Sequence, residues 1–231
     1  MPFFKNIQID ENTCLLLWKI TETYDELYRS VALKDICLAR LEGMKSEDHQ
    51  KGFLAVRMIL QNRGYSDFDL YYDVFGKPHL KDGTCISISH SFGFSAIVLS
   101  TNNVGLDLEQ IKDKVLKIAP RFMDISHLDG LNRVQQMEKA TVVWGIKESV
   151  FKLKNEKGIS FPQHIFEEKF NLTDKKCVAQ LRFNNTVEYF DVVFDTVEDY
   201  VVVCAFELGF LSLHWKLGNS FCFVCKLFLG I

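Results

Sequence analysis

The sequence of 231 residues has no excess of charge of either sign and no long apolar run. Its 27 Lys and Arg nearly balance 30 Asp and Glu, for a formal net charge of −3, so it lacks the basic excess of proteins that mainly bind nucleic acid. The most apolar stretch, residues 209–231, is interrupted by polar residues that include His214, Lys216, Asn219 and Lys226, and it falls short of the roughly 20 apolar residues of a membrane span. We therefore expect no nucleic-acid partner and no membrane segment, and we interpret this stretch as buried or as part of an interface.

Seven cysteines, an odd number scattered along the chain, lack the pattern of a disulfide framework. Cys222 and Cys225 form an isolated Cys-x-x-Cys with too few nearby ligands for a structural zinc site, and we interpret them as buried apolar side chains. Residues 1–10 lack the basic segment and apolar stretch of a signal peptide. We expect a cytoplasmic, monomeric protein with reduced thiols.

The chain also lacks a low-complexity linker and a convincing internal repeat. Its hydrophobic residues, 48%, and charged residues, 25%, are those of an ordinary globular protein. Helical and strand patterns mix without the regular alternation of a doubly wound sheet, which predicts an α+β fold. Each half offers a long helix and a few strands, and we divide the chain into an N-terminal half, residues 1–103, and a C-terminal half, residues 104–231.

Hydrophobic periodicity predicts two long helices and several strands. The first helix runs from an N-cap at Ser46 to about residue 62, and a shorter helical stretch precedes it from Tyr24. The second covers about residues 131–154, with an apolar stripe that includes Met137, Thr141, Trp144 and Phe151. Strands are predicted at residues 13–20, 86–89, 94–100, 104–108, 187–194 and 200–206.

Residues 104–109, Val-Gly-Leu-Asp-Leu-Glu, place two acids on one face of a predicted strand. Asp107 and Glu109 are two residues apart and therefore point the same way, opposite Leu106 and Leu108. Adjacent carboxylates repel each other unless a cation or a proton lies between them. The pattern fits a metal site, and it fits equally a solvated strand end, which is the commoner case.

Residues 144–152, Trp-Gly-Ile-Lys-Glu-Ser-Val-Phe-Lys, place an acid within the apolar stripe of the second long helix. Glu148 follows Trp144 by four residues and precedes Phe151 by three, so it shares their face. A carboxylate there is costly unless it is paired or binds a metal. The alternative is a surface ion pair between Glu148 and Lys152, but the surrounding apolar stripe favours a functional role.

Phe75-Gly76-Lys77-Pro78 and residues 86–91, Ile-Ser-Ile-Ser-His-Ser, form a third group. The hydroxyl of Ser89, the imidazole of His90 and nearby backbone amides suit a phosphate, although such a run is also compatible with a simple turn. Gly-x-Ser-x-Gly is absent, and adjacent Ser and His side chains diverge on a strand, so a hydrolase triad is not expected.

Taken in their order along the chain, residues 75–78, 86–91, 104–109 and 144–152 resemble the 4′-phosphopantetheinyl transferases, specifically the larger surfactin-synthetase-activating type. Residues 117–122 (KIAPRF) and 157–162 (KGISFP) also resemble that family, so the resemblance covers about residues 54–166. It implies a pseudo-twofold α+β protein of two similar halves, with coenzyme A bound in the cleft between them. It also implies holo-acyl-carrier-protein synthase activity: transfer of phosphopantetheine from coenzyme A to a serine of an acyl or peptidyl carrier protein, with release of 3′,5′-ADP.

The resemblance assigns roles to individual residues. It implies that three acids bind Mg²⁺, or Mn²⁺ in its place: Asp107, Glu109 and Glu148. It implies contacts with the nucleotide and its phosphates from Lys77, Ser89 and His90, and from Lys147 and Lys152 on the second long helix. The catalytic residues would be Asp107, Glu148 as the base for the serine, and Lys152.

Two features depart from the family pattern. Many relatives carry a glutamate where this chain has His127, and the basic residues that would bind the 3′-phosphate have only loose candidates in Arg40, Lys45, Lys51 and Arg57. Two alternatives therefore stand beside the transferase. One is an inactive homologue that binds coenzyme A or a carrier, which the complete set of three acids argues against. The other is a metal-dependent phosphohydrolase that uses the same carboxylates.

Overall fold

A computed structural model describes residues 3–209 of the chain, so the predictions for residues 210–231, including Cys222 and Cys225, lie outside it. The chain divides into two compact units, Met1–Thr101 and Asn102–Ile231. Each unit combines an antiparallel sheet with helices, which confirms the expected α+β class. Within residues 3–209, no helix is both long enough and apolar enough to cross a membrane.

The first unit is built on a four-stranded antiparallel sheet, in the order β1-β2-β6-β5. Its strands are β1 (Phe3–Asp10), β2 (Thr13–Lys19), β5 (Cys85–Ser91) and β6 (Phe94–Ser100). Its helices are α1 (Tyr24–Arg29), α2 (Asp35–Glu42) and α3 (Glu47–Asn62). A separate two-stranded ribbon joins β3 (Leu70–Tyr72) to β4 (Pro78–Leu80).

The helix predicted after Ser46 is α3, and it packs on the sheet of this unit. Val56, Ile59 and Leu60 are buried against β-strand residues such as Leu16 and Ile97. Two acids occupy its first turn, where they interact favourably with the helix dipole. Ser46 is the N-cap residue, but its side chain makes no capping hydrogen bond, so the dipole and the packed face define this helix.

The second unit is built on a five-stranded antiparallel sheet, in the order β7-β11-β10-β9-β8. Its strands are β7 (Val104–Gln110), β8 (Ile165–Glu167), β9 (Lys176–Phe183), β10 (Thr186–Val197) and β11 (Tyr200–Glu207). Its helices are α4 (Lys114–Ile118), α5 (Arg133–Lys154) and α6 (Phe161–His164). Short 3₁₀ turns lie at Ala119–Arg121, Ile125–Leu128 and Leu172–Asp174.

The second predicted long helix is α5, and its deepest face differs from the predicted stripe. Val142, Ile146, Val150 and Leu153 pack in the core beneath the sheet, whereas Trp144 and Phe151 are only half-buried. The stripe around Trp144 packs on a smaller cluster that includes Phe122. Helix α5 therefore has two apolar faces, and the spacing identified the shallower one.

Candidate functional site

Two glycines bring α5 unusually close to the sheet of the second unit. A Cβ atom on Gly105 of β7 would overlap the Ser149 carbonyl oxygen, and one on Gly145 of α5 would lie 2.6 Å from Cγ2 of Val203. The Ser149 hydroxyl donates to the Val203 carbonyl at 3.0 Å, and this hydrogen bond connects α5 to β11. Only glycine permits this approach, and it brings the polar residues of α5 next to those of β7.

Asp107 and Lys152 join β7 to α5 at this junction. Asp107 is 3% exposed, and its Oδ1 accepts a hydrogen bond from Lys152 Nζ at 2.8 Å. The same ammonium donates to the Leu106 carbonyl at 3.0 Å. Lys152, whose side chain is 29% exposed, therefore reaches across to the sheet, and its contacts are not those of a lysine on a solvated helix face.

Glu148 shares this environment with two further carboxylates. Burial and the negative charges of Asp107 and Glu109, opposed by the Lys152 ammonium, together raise the pKa of Glu148 to about 7. Asp107 and Glu109 lie on the same face of β7 as Gly105, the face that meets α5. Three acids whose charges act on one another are thus collected beside one lysine.

These acids have the chemistry of a site for a hard divalent cation. Oxygen ligands suit Mg²⁺, and a cation would relieve the repulsion that adds to burial in raising the pKa of Glu148. Across residues 3–209, however, no three His, Cys, Asp or Glu side chains are already arranged to hold a metal ion. The donor set fits Mg²⁺, and binding would require these side chains to turn toward it.

An aromatic cluster attaches neighbouring segments to α5. The Trp144 ring lies edge-on to Phe122 at 5.2 Å and to Phe161 at 5.6 Å, and Phe161 also contacts Phe151 at 5.3 Å. Phe122 ends the segment 117–122, and Phe161 lies in the segment 157–162. Three of the sequence segments that carried the family resemblance therefore meet around one tryptophan.

Lys147 is buried in an ion pair and is not part of the carboxylate group. Its ammonium lies 3.1 Å from Oε2 of Glu167, with its side chain 3% exposed, and it also donates to the Ile165 carbonyl. Glu167 is 3.2 Å from Nδ1 of His127 through its other oxygen. The predicted cofactor-binding role of Lys147 gains no support, because consecutive helix residues point about 100° apart and Lys147 faces the interior.

Glu167 is a residue that sequence reasoning missed. It lies in β8, a strand of three residues, and no motif or spacing marks it. Its two partners, Lys147 and His127, lie 20 and 40 residues earlier in the chain, so only the fold reveals the connection.

In the first unit, Ser89 and His90 lie at the end of β5 on opposite faces of the sheet. His90 packs against α3, where a Cβ atom on Gly52 would lie 2.8 Å from its Nδ1. The His49 ring, one turn earlier on α3, is 5.9 Å from the His90 ring. Ser89 is buried. The helix therefore supports His90 through a glycine, and His49 is a neighbour that the sequence did not identify.

Lys77 lies in the connection between β3 and β4. The Asp73 carboxylate accepts hydrogen bonds from the backbone amides of Phe75, at 2.8 Å, and Lys77, at 2.9 Å. Gly76 has a φ of 85°, a conformation that glycine adopts without strain. The Phe-Gly-Lys-Pro segment is thus an ordered turn, and its lysine precedes a strand that lies beside β5.

The basic residues suggested for a 3′-phosphate have different environments. Arg57 is 2% exposed, and its Nε donates to Oδ1 of Asp67 at 3.0 Å. It is therefore an interior residue and is not available to a ligand. The Arg40 guanidinium lies 5.1 Å from the Tyr72 ring centre, whereas Lys45 is exposed and Lys51 is half-buried.

Comparison with known proteins shows what this chain is similar to. No protein-family model matches the chain. It is 29% identical over 129 residues to the 4′-phosphopantetheinyl transferase Sfp of Bacillus subtilis (strain 168), a match covering 52% of this chain and 57% of the relative. It is 28% identical over 137 residues to another 4′-phosphopantetheinyl transferase of Bacillus subtilis, covering 57% of this chain and 60% of the relative. The chain thus spans less than two thirds of the curated relatives it matches, and these matches confirm its resemblance to the 4′-phosphopantetheinyl transferase superfamily.

Proposed function

We propose that this protein transfers the 4′-phosphopantetheine group from coenzyme A to a serine of an acyl or peptidyl carrier protein and releases 3′,5′-ADP. The observation that carries the proposal is the junction of β7 and α5, where Asp107, Glu109, Glu148 and Lys152 come together. The matched relatives are named as enzymes of this kind. We further propose that the two compact units are the similar halves of a monomeric, cytoplasmic enzyme.

In this proposal the residues that hold Mg²⁺ are Asp107, Glu109 and Glu148. Together with pyrophosphate oxygens of coenzyme A, their carboxylates supply the oxygen donors that Mg²⁺ prefers. The bound ion would neutralise negative charge on the transferred phosphoryl group and on the leaving nucleotide. Mn²⁺, which accepts the same ligands, is the natural substitute.

Glu148 is suited to accept the proton of the carrier serine. The serine oxygen forms a bond to the phosphorus next to pantetheine, and the phosphorus–oxygen bond to 3′,5′-ADP breaks. The serine proton must leave as this occurs. In the metal-free protein the pKa of this carboxyl is about 7, and a bound cation would lower it, so Glu148 would be ionised at neutral pH, as a general base must be.

Lys152 supplies positive charge at the same junction. Its ammonium already lies 2.8 Å from Asp107, and a fixed cation stabilises charge that develops during phosphoryl transfer. Lys77, Ser89 and His90 are proposed to bind the nucleotide phosphates, with His90 supported by Gly52 of α3. Lys147 has no part in this proposal because its ammonium is already paired with the Glu167 carboxylate.

The proposal is tested by incubating the protein with coenzyme A, Mg²⁺ and apo-carrier proteins, followed by intact mass measurement of the carriers. We expect a carrier to gain one phosphopantetheine group. Excess chelator should abolish the gain, and added Mg²⁺ or Mn²⁺ should restore it. A carrier with its acceptor serine replaced by alanine is the control and should stay unmodified.

Other outcomes of the same assay would favour the alternatives. Phosphate released from small substrates without a carrier would indicate a metal-dependent phosphohydrolase. Binding of coenzyme A without any gain in carrier mass, across acyl and peptidyl carriers, would indicate an inactive homologue. Full transfer in excess chelator would contradict the metal assignment while leaving the transfer activity itself intact.

A further inference from the structure

A polar cavity lies in the second unit, away from the group of carboxylates formed by Asp107, Glu109 and Glu148. It has a volume of about 300 Å³, the lower end of the range for small-molecule pockets. The 3₁₀ turn after Asp124, the N-terminal half of α5 and the segment before β9 contribute its lining: Ser126, His127, Lys139, Lys169, Phe170, Asn171 and Asp174. Lys139 and Glu148 are nine residues apart on α5, about 14 Å along the helix axis.

The unusual residue in this cavity is Lys139. It is 4% exposed, yet within residues 3–209 no carboxylate lies within 4.0 Å of its ammonium. It donates to the Phe170 carbonyl and lies over the Phe170 ring. Burial lowers its pKa, although more distant negative groups oppose this effect. A buried ammonium without an ion-pair partner is costly, and it retains donors that can serve a ligand.

The other buried lysine of α5 provides an internal comparison. Lys147 has Glu167 at 3.1 Å, so its charge is compensated within the fold. The acids nearest Lys139 are already engaged elsewhere: Glu167 contacts both Lys147 and His127, and Asp174 accepts hydrogen bonds from the backbone and side-chain amides of Asn171. The positive charge of Lys139 is therefore left facing the cavity.

Apart from the Asp174 carboxylate, which accepts hydrogen bonds from Asn171, the remaining lining suits a small oxyanion. Lys169 adds a second ammonium at the exposed side of the cavity, and Ser126 and His127 add a hydroxyl and an imidazole. Ammonium, hydroxyl and imidazole groups are the donors that bind phosphate oxygens. Two ammonium groups also match the charge of a phosphate monoester near neutral pH, since its second pKa is about 6.

We infer that this cavity is a binding site for a phosphate group, from inorganic phosphate or from a small phosphate monoester, with Lys139 as its central ligand. The site is separate from the one proposed for phosphopantetheine transfer and does not depend on that activity. A bound phosphate would compensate the positive charge of Lys139, for which residues 3–209 supply no carboxylate within 4.0 Å.

The test follows the ring resonances of His127 by NMR while inorganic phosphate is added at constant ionic strength; a His127→Gln variant assigns them. We expect a saturable shift in the wild-type protein. Lys139→Met, which keeps the aliphatic length, should weaken phosphate binding at least about tenfold, and Lys169→Ala should weaken it less. Lys114→Ala, an exposed lysine on α4, is the matched control and should leave the affinity unchanged. Glycerol phosphate added in a parallel titration shows whether a monoester binds more tightly than free phosphate.

Folding of the variant does not limit the test. Removal of an uncompensated buried charge often leaves stability equal or higher, so Lys139→Met should melt at or above the wild-type temperature in phosphate-free buffer. Absence of a saturable His127 shift in wild type, or an equal shift in Lys139→Met, would overturn the inference. If coenzyme A displaces the phosphate from His127, the cavity belongs to the coenzyme A site, and the inference of a separate site is wrong.

Discussion

Arg57 of α3 and Glu148 of α5 are buried in opposite electrostatic surroundings. On α3, Arg57 is compensated by Asp67 at 3.0 Å, an arrangement that belongs to the interior of the first unit. On α5, Glu148 is surrounded by the like charges of Asp107 and Glu109, which together with burial raise its pKa to about 7. A buried charge with an opposite partner is an ordinary structural feature, whereas carboxylates held together need a proton or a cation. This difference locates the candidate active site in the second unit.

The largest expected effect is on transfer by a Lys152→Ala variant. Lys152 neutralises charge beside Asp107, so its loss should lower the rate at saturating coenzyme A at least about a hundredfold. Lys154→Ala is the matched control, because Lys154 lies two residues further along α5 and pairs with Glu188 at 2.8 Å. Initial rates come from intact carrier masses, and thermal melts establish that both variants are folded. Near-normal transfer by Lys152→Ala would remove it from the active site.

Next in size is the loss of stability in an Arg57→Met variant. The change leaves the Asp67 carboxylate buried without its counter-ion, which should cost about 3–5 kcal/mol. Arg40→Met is the control, since Arg40 contacts the Tyr72 ring and should cost about 1 kcal/mol or less. Urea unfolding at pH 7 measures both. A loss below about 1 kcal/mol for Arg57→Met would mean that the buried pair contributes little to this helix.

The third effect is a pH dependence of stability in chelator. Between its ordinary value of 4.5 and about 7, the Glu148 carboxyl keeps its proton in the folded protein and loses it in the unfolded chain. Stability from this group therefore falls as the pH rises through that window, by at most about 3 kcal/mol. Glu148→Gln should remove this fall and be more stable than wild type at pH 8.

Glu138→Gln, on the same helix, is the control for that measurement. Glu138 accepts a hydrogen bond from the Thr196 hydroxyl and should not change the slope of stability against pH. Equal slopes for wild type and Glu148→Gln would show that the pKa of Glu148 is not raised in the folded protein.

The smallest effect concerns the first unit and a Gly52→Ala variant. The added methyl group would lie 2.8 Å from His90 Nδ1, so His90 must move, and coenzyme A should bind about tenfold more weakly. The double variant with His90→Ala should bind no worse than His90→Ala alone, because both changes remove one contact. Gly43→Ala, where a methyl group meets only ordinary contacts, is the control. Calorimetric titration with coenzyme A decides, and unchanged affinity would make His90 a structural residue.

Periodicity predicted the elements that carry the candidate site, and it did so for a physical reason. Helix α3 is long with one buried face, α5 is longer and has two apolar faces, and β7 has alternating polar and apolar residues. The short strands β3, β4 and β8 have three residues each, too few for a pattern. Strand β1 has eight residues, but its apolar alternation is weak.

Partners that lie far apart in the chain were beyond sequence reasoning. Glu167 pairs with Lys147 across 20 residues of sequence, and the family resemblance, which implied a binding role for Lys147, does not reveal this pair. The glycines at positions 105 and 145 stand inside recognisable motifs, yet their purpose, a close approach of helix to sheet, appears only in the packing.

The most direct measurement of the central claim compares carrier modification by wild type, Glu148→Gln and Glu138→Gln, with coenzyme A and Mg²⁺ saturating. Glu148→Gln keeps the shape of the side chain. It removes the negative charge that we propose binds the metal ion and accepts the serine proton. We predict that it leaves the carrier nearly unmodified, while Glu138→Gln modifies it at close to the wild-type rate. Transfer by a folded Glu148→Gln protein at the wild-type rate would contradict the assignment of the active site to the junction of β7 and α5.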